Sequence, residues 1–135
     1  MKLNISYHLE ETRFILHIEI TNDTDKERSF YCYNDTGGLA RNGIRLFNAN
    51  HEQAEPYERA FISPLYTGEQ VRADVLTPNE TGQFELPAKI LEEDGELILS
   101  FKGISFRIVR GEKFYITFNF LGAISNLLEV VAESE

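Results

Sequence analysis

Two histidines, His8 and His17, and one cysteine, Cys32, bring chemistry beyond packing to the first third of the chain. Imidazole nitrogens bind zinc, and Glu10 or Glu19 offers a carboxylate close by in sequence. If the two segments carrying the histidines pair as a hairpin, both rings fall on its outer face as diagonal neighbours. No further His or Cys is placed to complete four ligands, so exposed sheet histidines are the plainer reading, and neither metal nor cofactor is assigned. Cys32 lies between Tyr31 and Tyr33. A nucleophilic thiol needs a base and a lowered pKa, which a strand interior does not itself supply. The default is a small buried apolar residue. Asp23, Asp25 and Glu27 offer oxygens to calcium, but the EF-hand spacing fails. Its sixth position is Arg28 instead of Gly, and its twelfth is Asn34 instead of Glu. A solvated acidic turn explains them better.

Four Asn-x-Ser/Thr triplets begin at Asn4, Asn22, Asn34 and Asn79. Asn-Asp-Thr occurs twice, at 22–24 and 34–36, bracketing the aromatic run Arg28–Tyr33. Asn and Asp bond their own backbone and tolerate left-handed conformations, so these triplets read as strand-ending punctuation, not glycosylation sites. Gly37-Gly38 lacks the Lys-Ser/Thr and following helix of a phosphate loop. No Gly-x-Ser-x-Gly elbow is present. The remaining carboxylates are scattered, and sequence spacing cannot set two of them across a substrate. One constellation suggests recognition. Tyr31, Tyr33, Tyr57 and Tyr66 fall in or beside an irregular middle region that also holds Arg41, Arg45, Arg59 and Arg72. Tyr and Arg are enriched among interface hot spots, and loops on a rigid scaffold are the usual place for binding. The candidate partner-binding residues are therefore Tyr31, Tyr33, Arg41, Arg45, Tyr57, Arg59 and Tyr66. The competing reading has the tyrosines in the core and the arginines as ordinary surface charge.

The elements that must carry these residues are strands. Leu3, Ile5, Tyr7 and Leu9 alternate, as do Phe14, Leu16, Ile18 and Ile20. A period of two means one wet face and one dry. Pairing Leu9 with Phe14 puts both apolar sets on one face of an antiparallel hairpin. Arg28–Tyr33 forms a third strand. Ile44 to Phe47 and Val71 to Val75 form short ones, Tyr57–Ser63 is another candidate, and Gln83–Leu86 is brief before a turn at Leu91–Gly95. In the last third, Leu97, Leu99 and Phe101 alternate, then Ile104, Phe106 and Ile108, then Phe114, Ile116, Phe118 and Phe120. A Lys102-Gly103 loop and an Arg110-Gly111-Glu112 loop predict two successive hairpins, with Phe101 opposite Ile104 and Ile108 opposite Phe114. Leu127–Val131 is a last strand, with a short helix over 124–131 as the alternative. The predicted fold class is all-β, an antiparallel β-sandwich of about seven to nine strands in one domain spanning 1–135.

Several segments resemble an immunoglobulin-like sandwich of the kind that precedes deuterolysin-like metallopeptidase domains. They are Ile18–Thr24, Leu76–Leu86, Gly95–Phe101 and Ser125–Val130. In order, these look like a B strand, the bend before an E strand, an F strand and the Ser-Asn lead into a G strand. The Ile104–Arg110 strand is extra to that pattern, and no His-Glu-x-x-His motif is present. The resemblance implies an immunoglobulin-like fold and a non-catalytic, partner-contacting role. It transfers no functional residue.

The chain has 135 residues and a formal net charge of -9. That sign repels phosphate backbones and anionic lipid, which argues against nucleic acid and membrane surfaces. No apolar run approaches the ~20 residues of a membrane helix. The lone cysteine and the absence of a secretory-type apolar N-terminus fit a cytoplasmic protein, or an exported one whose leader has been removed. The leading expectation is a non-enzymatic protein-binding module with a basic partner, in its sharpest form an immunity- or inhibitor-type protein that neutralises a toxin or enzyme. The alternatives are an accessory immunoglobulin-like module of an exported assembly and a small enzyme with a dispersed carboxylate/His site.

Overall fold

The structure is a computed structural model and describes residues 1–33, 43–57, 71–101, 103–120 and 122–131, with the backbone alone for 29–33 and 71–74. Its elements are the strands β1 (Lys2–Glu10), β2 (Arg13–Thr21), β3 (Arg28–Tyr33), β4 (Ile44–Phe47), β5 (Val71–Leu76), β6 (Thr81–Glu93), β7 (Glu96–Phe101), β8 (Ile104–Ile108), β9 (Lys113–Phe120), β10 (Ala123–Ile124) and β11 (Leu128–Val131). One antiparallel sheet runs β1-β2-β6-β7-β8. In the other, β4 and β11 pair with β9, and β10 pairs with the C-terminal end of β9. A two-stranded ribbon joins β3 to β5. The fold class is all-β, with two antiparallel sheets facing across one core.

Alternation accounts for the first hairpin. Leu9 lies opposite Phe14, and Glu11 takes a left-handed φ of 56° in the turn. The dry faces of both sheets feed a single apolar cluster. Leu16, Ile18, Leu86, Leu99 and Phe106 enter it from one side, and Ile44, Leu46, Ile116 and Phe118 from the other. Each such side chain contributes about 1.5–3 kcal/mol when removed from water. Phe84 of the first sheet meets Phe118 of the second edge to face, with centroids 6.0 Å apart.

The second predicted hairpin does not form. Phe101 pairs with Ile104 as expected. Ile108 and Phe114 do not pair, because the chain crosses at 109–112 from one sheet to the other. Glu112 N donates to Val109 O at 3.1 Å, and Gly111 takes φ 81°, so the turn is tight yet joins different layers. The physical reason is that two facing sheets share one dry side. Phe114, Ile116 and Phe118 are buried as well across the core from β8 as they would be beside it. In this position β9 also finds hydrogen-bonding neighbours on both edges.

Further differences follow from long-range pairing. The brief strand expected at Gln83–Leu86 is the start of β6, which runs on to Glu93 because Leu86, Ala88 and Ile90 keep the inner face filled through Pro87. Only Asp94 and Gly95, at φ 51° and 81°, make the turn expected over Leu91–Gly95. Leu128–Val131 is a strand, which decides against the helical alternative. The outer face of the first sheet is not uniformly wet, since Ile15 and Ile98 lie on it and are buried. Tyr57 belongs to no strand, and the rest of the Tyr57–Ser63 candidate lies outside the described residues.

Candidate functional site

The outer face of the second sheet is where apolar and aromatic groups gather without being core. On β9, Phe114, Ile116 and Phe118 point inward, so Tyr115, Thr117 and Asn119 point outward. Phe47 and Glu129 flank Tyr115, and Arg45 lies opposite Thr117. Ile124 lies opposite Asn119 and is 69% exposed, while Leu127, just before β11, is 50% exposed. His51 stacks on Tyr115 with ring centroids 4.3 Å apart and planes 20° apart.

Local chemistry puts His51 there. Asn48 Oδ1 accepts from Asn50 N at 2.9 Å and Glu52 N at 3.0 Å, closing a loop in which His51 adopts φ 63°. A side chain that bonds its own backbone two residues on holds such a turn without other support. Lys113 and Glu129 rim the face with an exposed ion pair at 3.5 Å. Phe47, His51, Tyr115, Ile124 and Leu127 are absent from the sequence-derived candidates. The available signal was Tyr115 at an outward position of β9 and two apolar residues, Ile124 and Leu127, standing outside any long alternating run.

Of the predicted partner-binding residues, Arg45 and Tyr57 are described in full, and they lie on different sheets. Arg45 is on the face just described, half-buried, with Nη1 donating to Ile44 O at 3.0 Å. Tyr57 rests on the outer side of the first sheet at its β8 edge. Its N donates to Ser105 O at 2.6 Å, and its hydroxyl donates to Glu93 Oε2 at 3.2 Å. The Arg107 guanidinium covers its ring at 4.6 Å and reaches Glu96 at 3.3 Å. Tyr31 and Tyr33 belong to β3, with only their backbone described. Arg41, Arg59 and Tyr66 lie outside the described residues. The same holds for the side chains of Cys32 and Arg72, two residues whose backbones pair in the β3–β5 register.

The first Asn-Asp-Thr triplet is punctuation of an unusually connected kind. Asn22 is fully buried. Its Nδ2 donates to Lys26 O and Leu76 O, both at 2.8 Å, and its Oδ1 accepts from Thr24 N at 3.0 Å and Thr24 Oγ at 2.5 Å. Its backbone bonds Glu80 O and Asn79 N. Asn22 thus ties the end of β2 to the turn between β5 and β6. The Ser125-Asn126 pair works similarly. Ser125 Oγ accepts from Phe118 N at 2.8 Å, and Asn126 bonds both backbone groups of Ile5. Asp23 accepts from the Met1 amine at 2.8 Å. That hydrogen bond, with the amine's charge behind it, holds the Asp23 carboxyl below the usual carboxylate range.

His8 and His17 are diagonal neighbours on β1 and β2, as the hairpin register requires. Their ring centroids lie 4.6 Å apart with planes 24° apart. The carboxylates beside them are Glu10 and Glu85. Glu19 accepts instead from Gln83 Nε2 at 3.4 Å.

No protein-family model, curated protein or solved structure matches this chain.

Proposed function

We propose that this is a non-enzymatic module that binds another protein through the outer face of its second sheet. The observation that carries this reading is the exposure of Ile124 on the face that also presents Phe47, Tyr115 and the stacked His51, with Leu127 exposed just before β11. Contiguous apolar surface rimmed by polar groups marks interaction sites, and aromatic anchors dominate their energetics. The net charge of -9 favours a basic partner, because opposite charge steers encounter and raises the association rate. In its sharpest form the module is an immunity- or inhibitor-type protein that neutralises a toxin or enzyme, and the lone cysteine suits a cytoplasmic setting.

An immunoglobulin-like description is supported by the layout. β4-β9-β11 takes the place of C-F-G and β1-β2-β6 that of A-B-E, with β7–β8 an added hairpin. In that reading β9, and not Gly95–Phe101, holds the F position. This layout also favours the second reading, an accessory module of a larger assembly.

The test is capture of a partner from the native host, or binding to the product of a neighbouring gene, followed by affinity measurements on variants. Ile124→Asp and Tyr115→Ala should each weaken binding by roughly tenfold or more, as hot-spot residues do. Arg107→Ala, on the other sheet, should leave it unchanged. A partner whose affinity is insensitive to both variants on the second sheet would remove the basis for this reading.

A further inference from the structure

The strongest unassigned chemistry lies on the outer face of the first sheet, away from the proposed partner surface and independent of it. His8 Nδ1 and His17 Nε2 face each other at 2.5 Å. The nitrogens on the far side of each ring face carboxylates. Glu10 Oε1 lies 3.0 Å from His8 Nε2, and Glu85 Oε1 lies 3.8 Å from His17 Nδ1. These four side chains come from three neighbouring strands, β1, β2 and β6, and His17 is directly opposite Glu85 in the register.

A carboxylate only accepts, so Glu10, at 3.0 Å, favours hydrogen on His8 Nε2 and leaves a lone pair on His8 Nδ1. Glu85 Oε1, at 3.8 Å from His17 Nδ1, is beyond hydrogen-bonding distance and does not fix the second ring. With its hydrogen on Nε2, His17 donates to His8 Nδ1, so a proton links the two rings. A divalent metal ion can take that proton's place, releasing it to solvent, and an imidazole nitrogen backed by a carboxylate on the opposite ring nitrogen is a common ligand arrangement.

We propose that His8 and His17 form a two-histidine clip for a borderline divalent metal ion such as Zn²⁺ or Cu²⁺, with Glu10 orienting the His8 ring from behind and the Glu85 carboxylate standing beyond His17. Metal–nitrogen bonds of about 2.0–2.1 Å in tetrahedral geometry set two ligand nitrogens roughly 3.3 Å apart, so the rings need to part by a little under an ångström. Both side chains are partly exposed, which permits that adjustment without disturbing the core. Among the described residues no group of three or more His, Cys, Asp or Glu is gathered to hold a metal. The clip is therefore bidentate, and water completes the coordination. By the usual affinity order Cu²⁺ binds more tightly than Zn²⁺. Bound metal would pin β1 to β2, adding a cross-link at the sheet edge.

The experiment is titration of the tag-free protein with Zn²⁺ and, separately, Cu²⁺, read by calorimetry; for Zn²⁺, imidazole ¹⁵N NMR is added. One equivalent should bind reversibly to EDTA. The His8 and His17 ring signals should shift with Zn²⁺, while those of His51 stay in place. His8→Gln or His17→Gln should each lower affinity by roughly tenfold or more, and Glu10→Gln by about tenfold. His51→Gln should bind like the unaltered protein. These rings are on the surface, so the variants fold, and a thermal melt without metal verifies that. Absence of saturable binding at millimolar metal would mean that only a proton occupies the gap, and the proposal fails. Binding that survives intact in His17→Gln would place the metal elsewhere and overturn it equally.

Discussion

The two sheets meet over one core but turn different faces to solvent. On the first sheet, outward polar groups are engaged with each other. His8 meets His17 and Glu10, and Arg107 lies between Tyr57 and Glu96. On the second, Ile124 stands in water further along the face that carries Tyr115 and Phe47, and Leu127 is exposed just before β11. Exposed pairs of charges each contribute little, typically below about 1 kcal/mol. Their effect on the first sheet is to leave few polar groups seeking a new partner. Exposed apolar groups have the opposite character, because they gain by being covered. The contrast teaches that the face proposed to meet a partner is the one whose apolar residues gain least from their own neighbours.

The largest expected effect tests whether the sheets share one core. Phe106 and Phe118 are both fully buried, one on each sheet. Phe106→Ala and Phe118→Ala should each cost about 3–5 kcal/mol, and each should lower a single cooperative denaturant transition. Two separated transitions, each sensitive to one variant, would break the comparison by making the sheets independent. Next comes the tie at Asn22. Asn22→Ala leaves Leu76 O and Lys26 O without their side-chain donor and should cost about 1–3 kcal/mol in chemical denaturation. A loss under about 0.5 kcal/mol would show that water replaces the amide easily and that the tie is dispensable.

The smallest effect concerns Asp23. Its carboxyl is held below its unfolded value by the Met1 amine, so the ionised form is favoured in the fold. The stabilisation is fully present above the ordinary carboxylate range and is lost as pH falls through the lowered folded value. Asp23→Asn should therefore remove a small part of the acid-side slope in stability while leaving the neutral-pH affinity for any partner unchanged. An unaltered slope between pH 5 and 2, measured by denaturant titration in steps of pH, would discount the pair.

Much of the architecture was legible because hairpins are local. The Leu9–Phe14 and Phe101–Ile104 pairings need only alternation and a short loop, and both formed. Arg28–Tyr33 emerged with the same ends as expected, and a short strand formed at Ile44–Phe47. The pairing of Ile108 with Phe114 failed although its loop and alternation looked equally good. A dry face demands burial but does not name the surface that buries it. The candidate site was less legible. Arg45 was identified on the face now favoured, whereas Tyr57 is engaged with Glu93 and Arg107 on the other sheet. Tyr115 and His51 come together from β9 and a loop, Ile124 reaches the same face from β10, and nothing in their spacing along the chain announces that.

By itself the order of residues determined which side of β1, β2, β7, β8 and β9 faces the core, where the local turns fall, and that Asn22-Asp23-Thr24 ends a strand. Those properties depend on a few adjacent side chains and on the period of two of extended backbone. The tertiary structure alone decided that β9 leaves the sheet of β8, that Asn22 is buried as a tie to β5, and that Glu85 on β6 stands behind His17 on β2. Each of these depends on which distant strand lies alongside. That choice is made by filling one shared core, where any dry face fits the shared interior and only the whole set of packed strands selects among them.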